Sequence, residues 1–373
     1  MTTAYSGDGI TFPDNSVQAT APRVGMVNRI INGDMRIDQR NAGASVTSTA
    51  GYTLDRWLVY ESTDGAISFQ QVSDAPSGFS TSLKATTTTA DSSLGATQYC
   101  YLEQRIEGYN FSDLGFGTAS AQNVTLSFQV KSSLTGTFGG VLMNSANNRC
   151  YPFTYTINAA NTWETKSVTV AGDTTGTWVG ATNGIGIRAI FGLGLGSTYS
   201  GTAGAWAGSE LYAPTGAVPL IGTLNATWQI TGVQLEKGST ATDFEYVDYG
   251  RQLQMCQRYY QNSFPAGTAP FSPASPTGSN VGLYTWKITM VSSGYGSYYT
   301  LPLIAPMRSS PSIVGYNGGN NNNKVRHMPA AVDFTVTSVT AFSNTGFVLF
   351  FYGGAGDGTG SPVGWNWSAS AEL

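Results

Sequence analysis

From Asn28 onward, short runs in which apolar and polar residues alternate recur between clusters of Gly, Asn, Ser and Asp. The clearest cover residues 56–60, 66–72, 124–130, 166–170 and 228–235. A period of two sends Val124, Leu126, Phe128 and Val130 to one face of a strand and Thr125, Ser127 and Gln129 to the other. That pattern suits a half-buried antiparallel sheet. No run sustains a 3.6-residue period across three turns. The spacing therefore predicts an all-β fold, with a jelly-roll β-sandwich as its most economical form.

The texture changes over residues 242–261, TDFEYVDYGRQLQMCQRYYQ, the most charged and helix-permissive stretch of the chain. It predicts a helical turn over 249–255, then a new strand, then a Pro, Gly and Ser loop over 264–278. Strands resume at 284–290, 334–337 and 347–352. The expected organisation is a short extended N-terminal arm (1–25), too brief to hold a core, a jelly-roll domain (26–247) and a smaller β-sandwich-like tip domain (248–373). With no heptad run, association would use β-surfaces and termini rather than a coiled coil.

Composition supports this reading. Charged residues are 11% of the chain and Gly numbers 46, so the surface must be largely Ser, Thr, Asn, Gln and Gly, as in a turn-rich β protein. The formal charge is −4 and no Lys/Arg cluster could neutralise several phosphates, which argues against nucleic acid. Lys324 and Arg326 read as a solvated loop. Cys100, Cys150 and Cys256 lie far apart and are odd in number, so no disulfide framework is expected. The opening MTTAYSGDGITFPD has neither a basic nor an apolar leader region, and no apolar run is long enough to insert in a membrane. Synthesis in a bacterial cytoplasm is expected.

Catalytic chemistry is hard to build. One histidine, His327, stands in the turn-like NNNNKVRHMP, too little for a triad or a histidine zinc site. The strings Gly192-Leu193-Gly194-Leu195-Gly196 and 353–360 lack the following helix that a phosphate loop needs. Glu103 and Glu107 are the foremost carboxylate pair for a glycosidase, but as strand residues they are expected to face solvent. The reading is therefore a non-enzyme, without cofactor or metal. Aromatics in Gly-rich segments remain: Trp206, and Trp365 and Trp367 around Asn366, which could hold a sugar by ring stacking and amide hydrogen bonds. The alternative for each is an aromatic that caps a sandwich end or packs on a neighbouring subunit.

Asn28 to Gly43, NRIINGDMRIDQRNAG, followed by Asp55-Arg56-Trp57, resembles the opening of a family of phage and prophage tail proteins with an N-G-D-F, Q-R-G, D-R-W signature. In that family the module closes on a V-Q-L-E-x-G-x-x-A-T-x-F-E string and then C-Q-R-Y-Y. Here these are Val233 to Glu245 and Cys256 to Tyr260. The ending Ala371-Glu372-Leu373 resembles phage fibre tips, and Gly9 to Gln18 resembles fibre connectors, with Ile10, Phe12 and Pro13 as attachment residues.

The resemblance implies a carbohydrate-binding-module-like jelly roll and a homotrimer mounted on the tail or baseplate of a virion. With a β-rich C-terminal tip and no catalytic groups found, the expectation is that loops of the C-terminal domain meet a host-surface polysaccharide or lipopolysaccharide. The alternatives are a virion-associated glycan depolymerase and a structural connector without receptor contact. Asn32-Gly33-Asp34 reads as a turn, Trp57 as a core anchor, and Asp55 and Arg56 as a local pair. Some related jelly rolls hold calcium near that turn. Here Met35 and Arg36 stand where an aromatic and often an acid would, and no metal is expected.

Overall fold

The structure, a computed structural model, describes residues 4–6, 9–11, 17–18, 26–47, 49–270, 284–288, 296–316, 324–327, 332–352 and 361–373. Three short strands, β1 (Ala4–Ser6), β2 (Gly9–Thr11) and β3 (Val17–Gln18), pair antiparallel in the arm. Of the expected attachment residues, Ile10 lies in β2, whereas Phe12 and Pro13 fall outside the described residues.

The body is a two-sheet sandwich. Its strands are β4 (Val46–Thr47), β5 (Ala50–Leu54), β6 (Trp57–Ser62), β7 (Ala66–Val72), β8 (Ser82–Thr89) and β9 (Tyr99–Glu107). There follow β10 (Val124–Ser132), β11 (Gly136–Met143), β12 (Cys150–Ile157), β13 (Glu164–Val170) and β14 (Ile185–Leu195). A long excursion carries the two-residue strands β15 (Ser200–Gly201) and β16 (Ala213–Pro214) before β17 (Thr227–Lys237).

One six-stranded sheet runs β13-β10-β17-β8-β7-β4 and the other β12-β11-β14-β9-β6-β5. Their ladders are antiparallel, and the chain crosses repeatedly between sheets, as in a jelly roll. The alternation behind the sequence reading is what fills the space between them. Val124, Leu126, Phe128 and Val130 of β10 meet Trp57, Val59, Phe191 and Leu193 in one core. Each fully buried ring such as Phe69, Phe128 or Phe191 contributes about 1.5–3 kcal/mol through removal from water.

The expected helix is α1 (Tyr249–Gln257), capped by the Asp248 carboxylate, which accepts from Arg251 N at 2.9 Å. The strand after it is β18 (Tyr260–Asn262). The C-terminal unit adds β19 (Tyr284–Ile288), β20 (Gly296–Pro302), β21 (Ser312–Tyr316), β22 (Lys324–His327), β23 (Val332–Ser343), β24 (Gly346–Tyr352) and β25 (Ser361–Ser370). Strand β25 pairs with β19 and β22 through its first half and with β18 and β21 through its second. A separate core forms here around Met307, Phe347, Leu349, Trp365 and Trp367. Lys324, Arg326 and His327 lie in strand β22 rather than in the turn or loop their sequence suggests.

Candidate functional site

Strand β9 places Cys100 and Leu102 in the main core, so Tyr99, Tyr101, Glu103 and Arg105 fall on the opposite face of its sheet. Tyr60 on β6 stands directly across from Tyr101 in the ladder. Over this face the excursion between β14 and β17 lays Tyr199 and Tyr212, tied together by Tyr212 N donating to Tyr199 O at 2.8 Å. The five rings form one cluster. Tyr101 and Tyr212 stack at 4.4 Å between centroids, Tyr99 meets Tyr199 edge-on at 5.6 Å, and Tyr60 meets Tyr101 at 5.6 Å. Tyr101 and Tyr212 are buried, while Tyr60, Tyr99 and Tyr199 remain half open.

The excursion can lie this close because the strand beneath it lacks side chains. A Cβ on Gly192 would come within 2.9 Å of Ala213 Cβ and 2.8 Å of Leu195 Cδ2. One on Gly139 would stand 2.3 Å from Pro214 Cγ. The glycine string of β14 is thus a bed for a covering segment.

Charged groups are fixed beside the rings. Glu103, fully buried, accepts from Arg105 Nε and from Arg188 Nε, each at 2.7 Å. Arg188 also donates to Asn147 Oδ1 at 2.5 Å, and Asn147 Nδ2 donates to Glu210 at 2.9 Å. The Tyr212 hydroxyl donates to the same Glu210 oxygen. Burial works against the Arg105 and Arg188 charges, yet the Glu103 carboxylate outweighs it and raises both above the usual guanidinium range. Burial, then Glu103, pushes the Tyr101 hydroxyl up, so it stays protonated. This is a platform of aromatic faces with anchored donors and acceptors at its edge.

The residues singled out from sequence for sugar contact lie elsewhere. Trp365 and Trp367 are 0% and 2% exposed in the C-terminal core, and Asn366 is 3% exposed, with its Oδ1 accepting from Ser263 Oγ at 3.0 Å. Alternation along β25 with bulky partners drew them inward, so no ring face is open for stacking. Trp206 caps one end of the sandwich. Its Nε1 donates to Ala171 O at 2.7 Å, and its ring meets those of Phe116, Tyr151 and Trp178. Glu103 and Glu107 do not face solvent. Glu107 is buried and accepts from Arg258 Nε at 2.9 Å and from the Tyr259 hydroxyl at 2.7 Å.

The motif residues near both ends of the chain meet at a second place, the junction between the sandwich and the C-terminal unit. Asp55 and Arg56 form the two-residue turn between β5 and β6, but they do not pair with each other. Arg56, 1% exposed, reaches the Glu372 carboxylate and lies 3.5 Å from the Tyr259 ring centroid. Arg40 holds the other Glu372 oxygen at 2.8 Å and covers the Tyr260 ring at 3.7 Å. Gln39 Nε2 donates to Asp55 Oδ2 and to Tyr260 O. Trp57 is the anchor expected of it, fully buried, with Nε1 donating to Asn32 O at 3.0 Å. Asn32 turns the chain at φ +58°.

The closing string is tied locally as well. Glu236 accepts from Thr242 N, and Glu245 accepts from Asn28 N at 2.7 Å, fastening the end of the sandwich to its beginning.

Asp55 makes this junction sensitive to pH. Burial pushes its carboxyl up to about 7 from 3.8, against the pull of Arg40 and the Gln39 hydrogen bond. A carboxyl whose folded value is raised contributes stability that is full below its unfolded value and lost as pH rises through the folded one. Melting temperature should therefore fall between about pH 4 and about pH 7 and then level off, and Asp55→Asn should flatten that segment in melts followed by calorimetry. An unchanged slope in the variant would assign the dependence to other groups.

Among the described residues, no three His, Cys, Asp or Glu gather where they could hold a metal, and no helix is long and apolar enough to cross a membrane. Cys100, Cys150 and Cys256 are buried and unpaired.

No family model and no curated protein matches the chain. Among solved structures, it is similar to the enzymatically active domain of tailspike protein 4 of bacteriophage CBA120, at 14% identity and a TM-score of 0.31. That match covers 57% of this chain and 22% of the tailspike chain, so this chain spans under a quarter of that protein's length. A family 11 carbohydrate-binding module from Clostridium thermocellum is similar over 51% of this chain and 91% of its own, at 12% identity and a TM-score of 0.26. The xylan-binding CBM22-1 domain of Paenibacillus barcinonensis Xyn10C is similar over 54% and 99%, at 10% identity and a TM-score of 0.25. At such values the likenesses carry no argument about what this chain binds, and the two-sheet architecture rests on its own strand ladders.

Proposed function

We propose that this chain is a tail-fibre or tail-tip subunit of a bacteriophage virion that binds a host-surface glycan on its tyrosine platform, acting by adhesion and not by catalysis. Residues 1–25 serve as the arm to the tail or baseplate, and the working form is a homotrimer. The observation that carries the glycan reading is the cluster of Tyr60, Tyr99, Tyr101, Tyr199 and Tyr212 beside the Glu103–Arg105–Arg188 group. The partly exposed rings can cover the apolar face of a pyranose, and the partly exposed Asn147 amide, Glu210 carboxylate and Arg105 guanidinium beside them suit its hydroxyls. The foremost carboxylates of the sequence are both consumed in ion pairs, which leaves neither free as an acid or base. On this reading the receptor contact lies on the body rather than in the C-terminal loops.

A trimer repeated over several fibres would convert weak single sites into useful avidity. Immobilised O-chain fragments of bacterial lipopolysaccharides should retain the intact chain, and Tyr99→Ala should lose most of that affinity while the chain still unfolds cooperatively. Retention that survives Tyr99→Ala, or steady release of reducing ends from the polysaccharide, would overturn the platform reading, the latter in favour of a depolymerase. Light scattering should give three times the 39.3 kDa chain mass. A monomer would remove the trimer.

A further inference from the structure

Arg105 belongs to the platform and to the junction at once. Its Nε donates to Glu103 Oε1 at 2.7 Å, its Nη2 to the Tyr60 hydroxyl at 3.0 Å, and its Nη1 to the Leu373 carbonyl oxygen at 2.5 Å. Only the planar fork of a guanidinium can serve three acceptors in these directions. The segment 371–373 is in turn held by other groups. Ala371 N donates to Tyr259 O at 2.8 Å, Arg308 donates to Ala371 O and Glu372 O, and the Glu372 carboxylate sits between Arg40 and Arg56. Tyr60 is one of the three partly exposed rings, and the Arg105 bond fixes its hydroxyl.

We infer that Arg105 is a positioning residue that couples the seating of segment 371–373 to ligand binding on the tyrosine platform. The seated segment fixes Arg105, Arg105 fixes Tyr60, and the platform edge is complete only in that state. Linkage makes the effect reciprocal, so bound glycan holds the segment down. The inference rests on the platform reading above and adds a switch to it: displacement of segment 371–373 loosens the grip on the sugar.

The test uses the full chain and the O-chain fragments retained in the affinity experiment. Removing Leu373, and separately Arg105→Lys, should each weaken binding about five-fold or more, measured well below the denaturation midpoint of each variant. The two changes together should weaken it no further than either alone, since both break one linkage. In the unaltered protein, saturating fragment should slow amide hydrogen exchange at Ala371, a readout that a merely structural Arg105 would not move. If Tyr99→Ala abolishes binding while Leu373 removal and Arg105→Lys leave it intact, or exchange at Ala371 ignores the ligand, the coupling is wrong and the platform stands. If Tyr99→Ala has no effect, the platform reading fails and takes the coupling with it.

Discussion

Arg56→Ala should lower the stability of the chain by about 3–5 kcal/mol, because it leaves the buried Glu372 carboxylate short of one of its two cations. The guanidinium also covers the Tyr259 ring and donates to Arg105 O, and both contacts vanish with it. Arg56 holds φ at +74°, a backbone conformation that costs a non-glycine residue about 1 kcal/mol or more. Arg56→Gly should accordingly be the milder of the two truncations. Replacing Arg56 and Glu372 together, Arg56→Met with Glu372→Leu, should recover part of the loss, since the apolar pair avoids a lone buried carboxylate while Arg40, which then loses its partner, is partly exposed to solvent. Urea denaturation of the three variants decides this. A double variant no better than Arg56→Ala would mean that the pair itself, and not the orphaned carboxylate, carries the stability.

Gly192→Val should displace the segment that bears Tyr199 and Tyr212 and so weaken glycan binding by about 2 kcal/mol, roughly 30-fold. The first added carbon already stands 2.9 Å from Ala213 Cβ, and the valine methyls leave no room for the segment to settle. The overpacking should cost about 1–3 kcal/mol in stability, less than the sandwich core supplies, so the sheets persist while their cover lifts. Faster proteolysis within residues 196–215, with strand cores protected, is the expected signature. Affinity kept at the level of the unaltered chain would show that the excursion plays no part in the site.

The period of two along β10 and β13 made the sandwich legible, because a strand with one wet face must alternate, and the helix over 249–257 followed from its composition. Trp57 as an anchor and Asn32 as a turn were equally readable. Site residues were less so. Trp365 and Trp367 stand among glycines in sequence, yet the pairing of β25 with strands on both sides turned them into core, a fact that no local window contains.

Tyr99 and Tyr101 share a strand face by simple alternation, and that much of the platform could have been read in advance. Tyr60 joins them only through the register of β6 on β9, and Tyr199 and Tyr212 only because glycines on β11 and β14 admit a covering segment. The sequence by itself thus determined the alternating strands of the sandwich, the helix and the Asn32 turn, since these depend on neighbours a few positions away, but not the strand at 324–327 or the burial of Glu103 and Glu107. The tertiary structure alone decided the partners of the buried charges at the junction. Arg56 and Glu372 lie 316 positions apart, and a buried ion pair is set by where two surfaces close, not by any pattern along the chain.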